Sequence, residues 1–316
     1  MKKKIEIIVG SMKGSPRLPR LIKRLKKFNL KYKILYGFYG NNQNEINKVY
    51  SYYDEKKVIH RTGRKMGFNE ISGCLMFFRM CKYAQKKELD NIICMTDDAY
   101  PSSLFKEWVD KKIYFNGSKI IGLQCFSTGF LKKKYKVVME RKIKIHQAKT
   151  HLFNSNCFQI TAKAIKKIFK ITKGKIIGNA DWPINFKKNN IKMFQTLPFL
   201  IFPDDKGFSF INKDRVKLEK TLFKNFRKFI YKFFGIKYTN LIFNFLRIPY
   251  YILFIPFLLR KYKNFDYYVE YYFEKYFLKL FNPVFNFYID VEKICYLKSS
   301  YPRDLKKFAK HRVFDN

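Results

Sequence analysis

Two adjacent carboxylates, Asp97 and Asp98, end the apolar run Asn91-Ile92-Ile93-Cys94-Met95-Thr96, and Pro101 follows closely. The pattern predicts a short buried strand that stops at an acidic turn. Adjacent carboxylates repel unless a cation lies between them. A Mg²⁺ or Mn²⁺ ion holding a diphosphate would serve, because hard cations take carboxylate and phosphate oxygens. Simple helix capping by Asp98, ahead of Ser102 and Ser103, is the competing reading. A second acid, Asp181, stands beside Trp182 in Gly178-Asn179-Ala180-Asp181-Trp182-Pro183. Glu70 opens a predicted helix, where a carboxylate also suits the helix dipole. Arg17 sits in a Gly- and Pro-punctuated loop after the first strand, a position suited to a nucleotide phosphate.

These residues need an α/β frame. Ile5 to Val9 reads as a strand. Leu18, Leu21, Ile22, Leu25 and Phe28 fall at helical spacing; Arg17, Arg20, Lys23, Arg24, Lys26 and Lys27 cover the rest, where a solvated helix face is the competing reading of the lysines. Tyr32 to Phe38 alternates as a second strand. Residues 41–66 read as polar loop, and 67–85 as a helix. Ser102 to Tyr114 reads as a helix, Lys119 to Gln124 as a strand, and Lys132 to Lys149 as a basic excursion without periodicity. Phe153 to Thr161 reads as a strand ending in a Thr cap, followed by a helix from Ala162 to Phe169. A last strand falls within 191–202.

The chain has 316 residues, with 66 Lys+Arg against 24 Asp+Glu and a formal charge of +42. Such charge points to nucleic acid, anionic membrane or phosphate-bearing substrates. Hydrophobic content of 47% excludes a disordered basic tail. Cysteines 74, 81, 94, 125, 157 and 295 lack metal-ligand spacing and read as reduced core residues of a cytoplasmic protein. The basic start, Met1 to Lys4, leads into a strand rather than the apolar core of a signal peptide.

The pieces, in order, resemble glycosyltransferase family 25, the lipopolysaccharide and lipooligosaccharide biosynthesis glycosyltransferases. The resemblance runs from residue 5 to about 205. It rests on the strand and arginine loop of 5–20, Glu70-Ile71-Ser72-Gly73-Cys74-Leu75, Ile93-Cys94-Met95-Thr96-Asp97-Asp98, Asn156 to Ile168, and Asp181-Trp182. Thr96 replaces the first acid of the family's Glu-Asp-Asp, and Met76-Phe77-Phe78 stands where the family carries a Ser-His pair. The resemblance implies a GT-A-like nucleotide-sugar-binding sandwich and an inverting hexosyltransferase. It implies a UDP-sugar donor, Mn²⁺ or Mg²⁺, and a lipopolysaccharide-type or other cell-surface glycan acceptor. Asp98 would bind the metal, with Asp97 at the metal or the ribose. Arg17 and Thr96 would lie at the nucleotide. Asp181 would be the catalytic base, with Glu70 in reserve, and Trp182 would stack on the acceptor or pack in the core. The alternative function is a degenerate transferase fold serving as a basic membrane- or nucleic-acid-binding module. Thr96 favours it; Asp97, Asp98 and Asp181 favour the enzyme.

A boundary is expected near Pro203-Asp204-Asp205-Lys206-Gly207, giving a transferase domain of 1–207 and a helical region of 208–316. Residues 211–316 hold 30 of the 60 aromatics. A helix is expected over 216–234, with Lys220, Lys224, Lys228 and Lys232 in a column that anionic lipid would relieve. The twelve uncharged residues 248–259 fall short of the ~20 that span a bilayer, so interfacial insertion is expected. Packing of these aromatics as core is the competing reading. The expected location is cytoplasmic, peripheral on the inner face of a membrane, with nucleic acid ranked last as a partner.

Overall fold

The computed structural model describes residues 4–38, 40, 42–62, 65–124, 129–139, 143–152, 156–179, 183–204, 274, 278, 282, 285–291 and 294. The expected helix 216–234, the run 248–259, Asp181, Trp182, Cys125 and Cys295 lie outside these residues.

The chain opens β1 (Ile5–Ser11), α1 (Leu18–Lys27), β2 (Tyr32–Tyr36), α2 (Gln43–Tyr50), α3 (Glu55–Thr62), α4 (Phe68–Lys86) and β3 (Asn91–Thr96). It continues through β4 (Ala99–Pro101), α5 (Ser103–Asp110), β5 (Lys119–Gly122), β6 (Phe130–Met139), β7 (Ile143–Ala148), β8 (Cys157–Thr161) and α6 (Ala162–Thr172). It ends in β9 (Lys192–Leu197), β10 (Ile201–Pro203) and β11 (Tyr288–Asp290). Among the described residues one mixed sheet has nine strands, ordered β11-β6-β7-β9-β5-β8-β3-β1-β2, and β10 pairs with β4 in a small second sheet. The fold is mixed α/β.

Strand periodicity of two divides the core between the sheet's faces. Ile8, Ile92 and Cys94 pack with Leu75, Phe78 and Cys81 of α4 and Ile165 and Ile168 of α6. Ile7, Val9, Ile93 and Met95 pack with Leu21 and Leu25 of α1 and Phe105 and Trp108 of α5. Cys74, Cys81, Cys94 and Cys157 are buried thiols, as expected for reduced core residues.

Three regions depart from the sequence reading. Residues 41–66 contain two helices rather than loop alone: Asn42 accepts from the Glu45 N–H at 2.8 Å to start α2, and Val49 and Val58 each bury one apolar anchor. The basic excursion is the hairpin β6–β7. Its alternation is broken by register shifts between Leu131 and Tyr135 and between Val137 and Met139, while Lys132, Lys133, Lys134 and Lys136 face solvent. Finally, β11 closes one edge of the main sheet by pairing with β6, and Val291 beside it is fully buried with Leu131, Leu152, Phe199 and Phe202. The sheet thus takes an edge strand from beyond residue 207.

Candidate functional site

The topology selects one place for a ligand. β1 pairs in parallel with β2 on one side and β3 on the other. The chain crosses from β1 to β2 and then returns past β1 to β3, so the strand order reverses at β1 and opens a crevice at the carboxyl ends of β1 and β3. Ser11 ends β1, and Asp97 and Asp98 follow β3. Gly10 lets the strand and helix come together there: a Cβ at Gly10 would lie 2.8 Å from Met76 Cγ of α4.

The cation between the two carboxylates is Arg17. Its Nη2 lies 3.1 Å from Asp97 Oδ1 and its Nη1 3.7 Å from Asp98 Oδ2. Ser11 Oγ donates to Asp97 Oδ2 at 2.8 Å. Thr96 Oγ1 donates to Asp98 Oδ1, and Asn156 Nδ2 donates to Asp98 Oδ2 at 3.3 Å. Thr96, which breaks the family's acidic triplet, therefore orients Asp98. Asp98 does not cap the following helix: Ser102 Oγ accepts from the Phe105 N–H at 3.3 Å.

Ser11 and Asn156 were not singled out by sequence reasoning. Each contacts an acid more than 50 residues away in the chain, so no local spacing marks it. The arginines did leave a signal. Arg17, at the N-cap of α1, and Arg20 and Arg24 within it recur at three and four, one helical face, among lysines at 23, 26 and 27. This face is not simply solvated. Arg20 Nε donates to Asp204 Oδ2 at 2.7 Å, and Asp204 N donates to Asp98 O at 2.6 Å. Arg24 Nε donates to Pro101 O at 2.9 Å, and its guanidinium stands 4.8 Å from the Tyr100 ring centroid. Guanidinium forks suit such fixed contacts better than ammonium groups do.

Burial pushes the Asp98 carboxyl above the usual carboxylate range, and Asp97 adds to the push; Thr96 and Arg17 oppose it. Against the one positive charge of Arg17 the acid pair leaves one negative charge in excess. Among the described residues no group of three or more His, Cys, Asp or Glu side chains gathers to hold a metal. Mg²⁺ is ordinarily held by one or two carboxylates with substrate phosphates and water completing its shell, so the excess charge at Asp97 and Asp98 fits such an ion.

Glu70 is buried in the first turn of α4, where its Oε2 accepts from the Gly67 N–H at 3.4 Å. That is half of a capping box. Of the described residues that flank Asp181 in the chain, Gly178 O is contacted by Cys74 Sγ at 3.7 Å, and Pro183 O accepts from Arg61 Nη1 at 3.4 Å.

Beside the crevice a groove of about 650 Å³ runs over the β1–α1 loop, lined by Lys13, Gly14, Ser15, Lys23, Lys26 and Tyr36 among others. No helix among the described residues is long and apolar enough to cross a membrane.

No curated protein matches the chain. Among solved structures, mannose-1-phosphate geranyltransferase from Thermus thermophilus is similar at 7% identity and TM-score 0.33, over 62% of this chain and 75% of that one. A197 from STIV is similar at 16% identity and TM-score 0.28, over 61% of this chain and 81% of that one. A putative glucose-1-phosphate thymidylyltransferase from Bacillus anthracis, in complex with sucrose, is similar at 11% identity and TM-score 0.31, over 59% and 81% of the respective chains. Likeness at this level carries no conclusion about chemistry. A family model does: glycosyltransferase family 25 (LPS biosynthesis protein) matches residues 4–206, well over half of the chain. The acid pair thus belongs to an enzyme, and the chain is a member of glycosyltransferase family 25.

Proposed function

We propose that this glycosyltransferase moves a hexose from a UDP-sugar, with inversion, to a lipopolysaccharide-type or other cell-surface glycan. The observation that carries the reading is the acid pair at the carboxyl ends of β1 and β3, next to a lysine-bearing groove. The groove's volume lies within the ~300–1,000 Å³ typical of ligand sites. Lys13, Lys23 and Lys26 offer positive charge to the donor's diphosphate, and Tyr36 offers a ring to its base. The family implies a nucleotide-sugar donor and a glycan acceptor; UDP, hexose and inversion are our assignments, as is a GT-A-like organisation of the domain.

In this reaction the acceptor oxygen attacks the anomeric carbon as the bond to the diphosphate oxygen breaks. UDP leaves with the bonding pair, and a base takes the acceptor's proton. Asp181 is assigned as that base, because Glu70 serves the start of α4. Asp98, with Asp97 beside it, would hold a Mg²⁺ or Mn²⁺ ion, which when bound neutralises charge on the leaving diphosphate. Thr96 and Asn156 keep Asp98 oriented, and Ser11 and Arg17 do the same for Asp97.

The domain assignment follows: residues 1–207 carry the reaction, and 208–316 associate with the inner face of a membrane. The net charge of +42 and the uncharged run 248–259 support this location. Full-length protein should bind anionic vesicles at low salt and lose part of that binding as salt rises; indifference to anionic vesicles refutes the location. The reaction is tested by incubating the full chain with a panel of UDP-sugars, with Mn²⁺ or with EDTA, and measuring UDP release. Release that needs the metal and one preferred sugar is expected. Failure of every UDP-sugar, alongside turnover of another nucleotide sugar, would overturn the donor assignment.

A further inference from the structure

A second concavity lies toward the other edge of the sheet, across β6, β7 and β9. Its volume is about 300 Å³. Four lysines from four separate segments converge on it: Lys132 of β6, Lys149 after β7, Lys187 between α6 and β9, and Lys192 at the start of β9. Among the described residues one carboxylate answers them, Glu274. Its Oε1 lies 2.9 Å from Lys149 Nζ and 3.7 Å from Lys187 Nζ. These five groups therefore carry three positive charges in excess, in a cleft that focuses their field. Amide side chains of Gln147, Asn185 and Asn190 add donors and acceptors, and Ile191 and Met193 add apolar surface.

We infer that this cavity binds a phosphate-bearing saccharide, and that Glu274 occupies the anion's position until the ligand arrives. Three excess charges suit a phosphate dianion better than a single carboxylate, and ammonium groups bind phosphate as point charges. Amides beside an apolar wall suit a sugar ring, which presents hydroxyls at its rim and C–H groups on its faces. Glu274 comes from beyond residue 207 and competes with the ligand. Lys149 is held above its ordinary pKa chiefly by its hydrogen bond to Glu274. The phosphate half of the inference stands on the lysines; the saccharide half rests on the transferase reading of a glycan acceptor.

The test is calorimetric titration of the full chain with inorganic phosphate, glucose and glucose 6-phosphate. Glucose 6-phosphate should bind tighter than phosphate, and glucose should not bind detectably. Lys149→Gln with Lys187→Gln should weaken glucose 6-phosphate about tenfold or more, as expected for loss of two charge-assisted contacts. Glu274→Gln should strengthen it several-fold. If the first pair fails to fold, Lys132→Gln with Lys192→Gln, both at exposed positions, reads the same charge. Binding that is unchanged in the lysine variants, or weakened by Glu274→Gln, overturns the site. Equal binding of phosphate and glucose 6-phosphate overturns its saccharide half. Asp98→Asn should leave this binding intact while abolishing UDP release. A protein inert toward every nucleotide sugar that still binds glucose 6-phosphate through these lysines would fail as a transferase and stand as a phosphosugar binder.

Discussion

Removing the Arg17 guanidinium should leave two adjacent, mostly buried carboxylates without their cation. The side chains of Arg17, Asp97 and Asp98 are 15%, 8% and 25% exposed. Breaking a buried ion pair by deleting one partner costs about 3–5 kcal/mol. Both acids keep other hydrogen bonds, from Ser11, Thr96 and Asn156, so the lower end applies. Arg17→Met should therefore destabilise the fold by about 3 kcal/mol at pH 7.5. Acid offers relief, because one carboxyl can take a proton. For a carboxyl of ordinary pKa near 3.9, that relief costs about 5 kcal/mol at pH 7.5 but only about 1.5 kcal/mol at pH 5. Burial and the neighbouring acid already push the Asp98 carboxyl up, and losing Arg17 removes an opposing charge, so the penalty is present at neutral pH and disappears on acidification.

Urea unfolding can follow the fluorescence of the fully buried Trp108. The gap between wild type and Arg17→Met should be widest at pH 7.5 and shrink to about 1.5 kcal/mol or less at pH 5. Arg17→Lys should fall between them, since an ammonium group cannot span both acids as a fork does. Mn²⁺ should stabilise Arg17→Met more than wild type, because the variant's excess charge is larger. Coincident midpoints at pH 7.5, or a gap that widens in acid, would refute the argument.

Asp98→Asn should abolish UDP release and leave the melting temperature nearly unchanged, and Asp181→Asn should lower kcat with little change in KM for the donor; full turnover in either removes that residue from its role. His146 is buried, and burial with Lys144 nearby holds its imidazole below the usual value, against the Lys132 carbonyl that accepts from Nδ1 at 3.0 Å. Its contribution to stability is complete above the unfolded pKa of about 6.5 and falls as pH drops below it. Melting temperatures at pH 7.5 and 5.5 should therefore converge in His146→Gln relative to wild type; an undiminished difference between the two pH values counts against the reading. A chain ending at residue 210 loses β11 and the buried Leu278 and Val291. Each buried aliphatic side chain is worth about 1.5–3 kcal/mol, so the truncated chain should melt measurably lower, and an unchanged melting temperature would mean that the edge strand contributes nothing.

What sequence could reveal followed from how locally each feature is encoded. The strand Asn91–Thr96 and its acidic turn were readable because apolar run and turn chemistry sit side by side. So was the Thr161 cap of α6, which accepts from the Ala164 N–H at 3.3 Å. α2 and α3 were missed because each is eight residues long and buries a single valine, too little to show a helical stripe. β6 and β7 were hidden by bulges and by solvent-facing lysines, which say nothing about strand or loop. β11 pairs with a strand more than 150 residues earlier, and three residues carry no period.

The acid pair shows the same limit in chemical terms. Sequence placed two carboxylates together and offered a cation between them as one reading, but it could not choose among cations. The structure puts Arg17 there, about 80 residues away in the chain. Yet the choice was partly written: α1 and its N-cap carry arginine at 17, 20 and 24 and lysine at 23, 26 and 27. A merely solvated face has no need to separate the two, since either charge is hydrated equally well for solubility. Each of the three arginines instead holds a part of the acidic turn or the chain that packs against it, through Asp97 and Asp98, Asp204, and Pro101 with Tyr100. Substituting all three by lysine keeps the net charge at +42, and so separates the two explanations. If charge alone mattered, the triple variant would keep its stability and its UDP release. If the forks position the turn, both should fall together.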